Sequence, residues 1–318
     1  MHIVDMPQEE LNRCNFQHTT QPDFDSFWEN CLYESKQQPL LPKVNPVEYT
    51  VPGVVVSEVS YEAFDGGRIA GWFIAPRDPG PKPTLIFYHS YGGTKGKVSD
   101  YLKWALQGFT CLAFDVRGQG GDSSDLAEYP PTSMMGWLTR GLMDPRRYYL
   151  VRCYVDAIRA IDLAETLDGV NSECIGLSGA SQGGALALAA CSMDRRPRLC
   201  MAELPAFCHF GRTFELSREA PWTEYIEYFQ RYPERIEEAM RTLSYVELNN
   251  LTEHVFCPTL MNVCLQDTVT IPSTIYSAYN HLRTAEKSIE VFPYNEHEYG
   301  LMNETMIRWA RAYLMDED

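Results

Sequence analysis

Cys174-Ile-Gly-Leu-Ser-Gly179-Ala180-Ser181-Gln182-Gly183-Gly184-Ala-Leu-Ala-Leu-Ala-Ala190 sets an apolar run, a glycine-framed serine and a strong helix former in direct succession. A strand, a sharp turn and a helix in that order force the central serine into an exposed, strained conformation. The flanking glycines are required because a Cβ would clash in so tight a turn. The same turn leaves the backbone N–H of Gln182 at a helix N-terminus, aimed at the space beside the serine. Ser181 therefore reads as a nucleophile, and the segment as one strand–helix unit of a larger α/β sheet.

Strand and helix patterns alternate on both sides of this unit. Val54–Phe64 and Arg68–Ala75 alternate in polarity around Asp65-Gly66-Gly67, a hairpin signal. Thr84–Tyr88 and Phe109–Val116 read as buried strands, with a helix over Val98–Leu106 between them. Further units are a helix over Tyr148–Leu167, a strand over Cys174–Leu177, a helix over Gln182–Cys191 and a strand over Arg198–Leu204. Strand, helix, strand and helix follow at Pro258–Leu265, Ile271–Leu282, Ser288–Phe292 and Leu301–Met315. The fold class expected is α/β: one domain over residues 1–318, a mainly parallel twisted sheet flanked by helices and opened by an antiparallel hairpin. Residues 1–50 read as an N-terminal helical arm. Residues 210–251 break the alternation and read as a helical insertion, or lid, before the last strands. The Gly-, Pro-, Ser- and Asp-rich connection from Gly118 to Arg147 is long enough to have a role of its own.

A serine needs a base, and the base needs an orienting group. On sheets with such a turn, one recurrent chain order is serine, acid, histidine. Of seven histidines, only His281 and His297 follow the last plausible acid strand. His281 ends a helix pattern, whereas His297 lies in the polar loop Pro293-Tyr-Asn-Glu-His297-Glu298, at the strand edge where such sites assemble. Asp267, two residues beyond the strand Leu260–Leu265, is the candidate acid; its competing role is to cap the turn at Thr270-Ile271-Pro272. Glu298 adjoins the histidine in sequence, which seldom allows two side chains to face each other. His89-Ser90-Tyr91-Gly92-Gly93 closes an early strand, and the N–H of Tyr91 is the candidate second oxyanion donor. His89 reads as a brace for this loop. Pro205, after the Arg198–Leu204 strand, is the candidate wall of a small acyl pocket.

With 318 residues, 45% hydrophobic and 22% charged, the chain has ample material for one large core. Its net charge of −16 opposes nucleic acid and anionic membranes as partners. Met1 to Asn30 carries Asp5, Glu9, Glu10, Asp23 and Asp25 among its acidic residues and no apolar core of a signal peptide, and no run is long enough to span a bilayer. Cys111, Cys174, Cys200 and Cys264 sit in apolar strand-like runs, and no pair has metal-ligand spacing. A reduced, cytoplasmic protein without metal or cofactor is expected.

Taken together, the motifs resemble carbohydrate esterase family 7, the acetyl xylan esterases and cephalosporin C deacetylases. The resemblance rests on Arg117-Gly118-Gln119, Gly179-Ala180-Ser181-Gln182-Gly183 and His297-Glu298. Asp267-Thr-Val-Thr-Ile-Pro-Ser273, the Tyr91-Gly-Gly turn, Phe24, Phe27 and Trp28, and Thr242-Leu-Ser-Tyr245 extend it over nearly the whole chain. It implies an α/β-hydrolase fold and removal of acetyl groups from xylo-oligosaccharides and cephalosporin C. It also implies an intracellular homo-hexamer with sites facing an inner cavity. By motif, it assigns Ser181, Asp267 and His297 to a triad, and the N–H groups of Tyr91 and Gln182 to an oxyanion hole. Arg117 and Gln119 look structural rather than substrate-binding. Ser90 stands where the family pattern usually has glycine, and Cys264-Leu-Gln-Asp267 departs from a glycine-like approach to the acid. Competing readings are a broad short-chain carboxylesterase or peptidase on the same fold, and an inactive hydrolase-like binding protein.

Overall fold

A computed structural model describes residues 4–131 and 133–315; the outermost ends of the 1–318 domain reading, and residue 132 in the long connection, lie outside the described residues. Nine strands form one sheet: β1 (Lys43–Val47), β2 (Val54–Glu62), β3 (Arg68–Pro76), β4 (Lys82–Tyr88), β5 (Thr110–Phe114), β6 (Val170–Ala180), β7 (Leu199–Glu203), β8 (Thr259–Cys264) and β9 (Lys287–Phe292). Their spatial order is β1-β2-β3-β5-β4-β6-β7-β8-β9. The first three strands and β5 join antiparallel, and every pairing from β5 through β4 to β9 is parallel. This is the mainly parallel α/β sheet expected from the strand–helix alternation, in the α/β-hydrolase arrangement that the family resemblance implies.

Helices follow as α1 (Gln8–Leu11), α2 (Phe24–Gln37), α3 (Val98–Ala105), α4 (Tyr149–Glu165), α5 (Gln182–Met193), α6 (Phe210–Leu216), α7 (Thr223–Arg231), α8 (Ile236–Ser244), α9 (Leu248–Leu251), α10 (Pro272–His281) and α11 (Asn303–Leu314). α3 and α11 bury Trp104, Met306, Ala310 and Leu314 on one face of the sheet. α4, α5, α10 and the insertion build the larger core on the other face. α5 is apolar all round and buried from Gln182 to Ser192, as a helix at the centre of a layered core must be. The hairpin turn forms where Asp65-Gly66-Gly67 places it, with Gly66 at φ +82°.

Two expectations on local structure need correction. The N-terminal segment is helical only in part, because residues 43–47 add an antiparallel edge strand to β2. That strand is mostly exposed and contains Pro46, so it carries no alternating signal, and proline is tolerated at a sheet edge. β6 runs from Val170 rather than Cys174; Val170 pairs with Lys82 of β4, and the polar Asn171, Ser172 and Glu173 follow at an irregularity before the register resumes at Ile175. The arm is fastened to the body by side chains. Trp28 Nε1 donates to the Tyr245 carbonyl at 3.0 Å, and Tyr245 Oη to Asp23 Oδ1 at 2.6 Å. Residues 210–251 form the short helices α6 to α9 between β7 and β8.

Candidate active site

The turn between β6 and α5 holds Ser181 at φ +53°, ψ −117°, a conformation that costs an ordinary residue on the order of 1–3 kcal/mol. The surrounding glycines explain how the chain gets there. A Cβ on Gly183 would lie 2.0 Å from the Tyr88 carbonyl oxygen, and one on Gly179 would lie 2.4 Å from the Gly183 carbonyl carbon. Two backbone bonds fix the turn from the next strand: Ser181 N–H donates to Glu203 O at 2.8 Å, and Ala206 N–H to Ser181 O at 3.0 Å.

Asp267 lies just past β8, and His297 in the loop after β9, so both reach the carboxyl edge of the sheet where β6 ends. His297 Nδ1 stands 2.7 Å from Asp267 Oδ2. The carboxylate is fully buried. Its other oxygen, Oδ1, accepts the amides of Val269 (2.7 Å) and Thr270 (2.9 Å). Thr270 Oγ1 donates to Oδ2 at 2.6 Å. The two roles that compete for this residue in the sequence, turn cap and histidine partner, are both filled, by different oxygens. The insertion buttresses the acid loop from outside: Trp222 Nε1 donates to Val269 O, and Ser217 Oγ to Thr268 O, each at 2.7 Å. Among the described residues no hydrogen bond joins Ser181 Oγ to the imidazole. Such contacts are often loose until substrate is bound.

The loop carrying Tyr91 is tied to the elbow at several points. Ser90 Oγ donates to Ala180 O at 3.0 Å, so the residue that departs from the family pattern adds a direct bond between the two loops. Gln119 Oε1 accepts Gly92 N–H at 2.9 Å, and the Gln119 and Gln182 amides exchange bonds at 2.9 and 3.1 Å. Gln119 thus holds both loops at once, and Tyr149 Oη accepts its remaining N–H. Among the described residues, the amides of Tyr91 and Gln182 donate to no other backbone group, which leaves both available. The Tyr91 phenol bonds Glu224 on α7, and Glu224 also accepts Leu138 N–H at 2.8 Å. The insertion and the long connection therefore meet on the side chain of the same loop. Burial raises the Glu224 carboxyl above its ordinary value.

His89 braces rather than reacts. Its Nε2 accepts Val116 N–H at 2.8 Å, which leaves Nδ1 to donate to Ser90 O at 2.8 Å and fixes a neutral tautomer. Burial lowers its pKa, in keeping with that. Arg117 is fully buried and donates to Asp156 Oδ2 at 2.6 Å and Oδ1 at 2.8 Å, and also to Asp65. It ties the loop after β5 to α4 and to the β2–β3 turn, which is a structural role. Pro205 lies buried beneath the first turn of α5, where a Cβ on Gly184 would come 3.3 Å from its Cα. Glu203 and Glu224 are functional neighbours that the sequence does not single out. The only signal for Glu203 is a single charge closing the apolar strand Leu199-Cys-Met-Ala-Glu203; Glu224 has none.

Comparison with known proteins agrees over nearly the full length. A family model described as acetyl xylan esterase (AXE1) matches residues 1–313. The solved acetyl xylan esterase from Paenibacillus sp. R4 is similar at 40% identity and TM-score 0.94, over 97% of this chain and all of that one. Acetyl xylan esterase 1 from Thermoanaerobacterium sp. JW/SL YS485 is similar at 28% identity and TM-score 0.93, over 98% of this chain and all of that one. Acetyl esterase Axe7A of Xylanibacter ruminicola is 27% identical over 91% of this chain, which spans 66% of that protein's length.

Proposed function

The chain belongs to the acetyl xylan esterase family, and on that premise we propose that it is a serine esterase that removes acetyl groups from acetylated xylo-oligosaccharides and from small esters such as cephalosporin C. The observation that carries the reading is the 2.7 Å bond between His297 Nδ1 and Asp267 Oδ2, at the sheet edge where the elbow presents Ser181.

In this reading Asp267 holds the imidazole so that Nε2 faces the serine. His297 takes the Ser181 proton as Oγ attacks the acetyl carbonyl carbon. The amides of Tyr91 and Gln182 receive the oxyanion, each worth roughly 3–4 kcal/mol of barrier. The imidazolium gives its proton to the departing alcohol oxygen, leaving an acetyl-serine. Water, deprotonated by the same imidazole, then attacks that ester and releases acetate. Pro205 is proposed as a wall that limits the acyl group to acetate.

We also propose a cytoplasmic homo-hexamer. The resemblance supports the assembly, and the use of Cys111, Cys153, Cys191, Cys200, Cys208 and Cys264 as small buried core side chains supports a reducing compartment. Among the described residues no helix is long and apolar enough to cross a membrane. Hydrolysis of nitrophenyl esters of increasing acyl length, beside acetylated xylo-oligosaccharides and cephalosporin C, tests the substrate. A steep fall beyond propionate with release of acetate from the sugar is expected. Equal rates on long acyl chains would instead indicate a broad carboxylesterase. Mass in solution tests the hexamer.

A further inference from the structure

Glu203 is the last residue of β7, in register with Ala180 on β6 and Asn262 on β8. It touches the site at two places. Its backbone carbonyl accepts the Ser181 amide at 2.8 Å, and its carboxylate Oε2 accepts the Gly300 amide at 2.7 Å. Gly300 lies three residues beyond His297 in the same irregular loop, with φ at +76°. Among the described residues, no other residue bonds both the Ser181 amide and the loop that carries His297.

We propose that Glu203 is a positioning residue that fixes the separation of Ser181 and His297, by clamping the serine turn with its main chain and the histidine loop with its carboxylate. The proposal deepens the esterase reading above and rests on it. Asp267 holds the imidazole from one side, at Nδ1. The distance from imidazole to serine depends on where the loop from Pro293 to Met302 sits against β6 and β7. Gln266 holds the start of that loop, donating to Asn295 O at 3.1 Å and Pro293 O at 3.0 Å, and the bond at Gly300 holds it on the far side of His297. What the clamp requires is an acceptor at this reach; a carboxylate makes the bond shorter and stronger than an amide oxygen would, but an amide oxygen still closes it. The carboxylate is retained despite its cost: Glu203 is 8% exposed, its only direct side-chain partner among the described residues is one amide, and Lys103 acts on it only from a distance. Burial holds its carboxyl above the ordinary range.

The test compares Glu203→Leu, which fills the space without an acceptor, Glu203→Asp, which keeps the charge but is one methylene too short, and Glu203→Gln, which keeps an acceptor at full reach. Displacement of a catalytic group by about 1 Å costs up to roughly 100-fold. With nitrophenyl acetate, Glu203→Leu and Glu203→Asp should lose about 10- to 100-fold in kcat while KM changes less than about two-fold, and Glu203→Gln should recover most of the loss. If Leu impairs folding, the Asp variant decides. Folded Leu or Asp variants with wild-type kcat, or a Gln variant as impaired as Asp, would overturn the proposal. If the unaltered protein shows no Ser181-dependent ester hydrolysis, it is the esterase reading that fails instead.

Discussion

Asp267 and His297 are joined through one carboxylate oxygen, while the other oxygen of Asp267 is fixed by the amides of Val269 and Thr270. This division has a consequence for the isosteric amide. In Asp267→Asn the carboxamide oxygen stays with the two backbone donors, so the NH2 faces His297 Nδ1 and makes it an acceptor. The imidazole proton is then confined to Nε2, which can no longer accept a proton from Ser181. We predict a fall in kcat of about 10³- to 10⁴-fold with little change in melting temperature, measured by steady-state kinetics and calorimetry.

Gln119 supports a second prediction. Gln119→Leu is the sharp probe, because it leaves Gly92 N–H and the Gln182 amide without their partner, while Tyr149 Oη keeps its bond to Arg117 O at 2.6 Å. Each orphaned group costs about 1–3 kcal/mol. Activity should fall by between about 10- and 100-fold through kcat, short of the loss of a whole oxyanion donor. Unchanged kcat in a folded variant would show that the tie between the loops is dispensable.

The elbow makes a stability prediction with a built-in control. Gly183→Ala drives a methyl against the Tyr88 carbonyl backbone, and overpacking of this kind costs about 1–3 kcal/mol or more. Gly53→Ala meets nothing within 4 Å and should leave both melting and activity unaltered. Denaturant titration of the pair separates steric conflict from loss of glycine flexibility.

Glu247 predicts a pH dependence unrelated to catalysis. It lines a cavity of about 650 Å³ between the arm and the insertion, and accepts Thr19 Oγ1 and Phe210 N–H, each at 2.8 Å. Burial pushes its carboxyl up from 4.5 to about 7. Between those values the folded chain keeps a proton that the unfolded chain has released, so the unfolding free energy declines as pH rises across the window and levels off above it. Glu247→Gln has no proton to release. It should melt higher than the unaltered protein at pH 8, and the difference should close toward pH 5.

Much of this site is legible in the sequence because its chemistry is tied to local patterns. The elbow must have glycine at 179 and 183, and the acid and histidine each follow a recognisable strand. The parts that were not legible act across the fold. The edge strand Lys43–Val47 is solvated and lacks an apolar face, so pairing with β2 is its only signature. Glu224 reaches Tyr91 from 133 residues away. Glu203 braces two loops only because β7 lies between β6 and β8.

The central claim is that Ser181 is the nucleophile and that His297 activates it. Stoichiometric reaction with a nitrophenyl phosphonate, followed by peptide mass mapping, tests this most directly. One adduct per chain on Ser181, loss of acetyl-ester hydrolysis in proportion to labelling, and labelling slowed by about 10³-fold or more in His297→Ala are the results expected. Full labelling of Ser181 with hydrolysis retained, or labelling at an undiminished rate without His297, would contradict it.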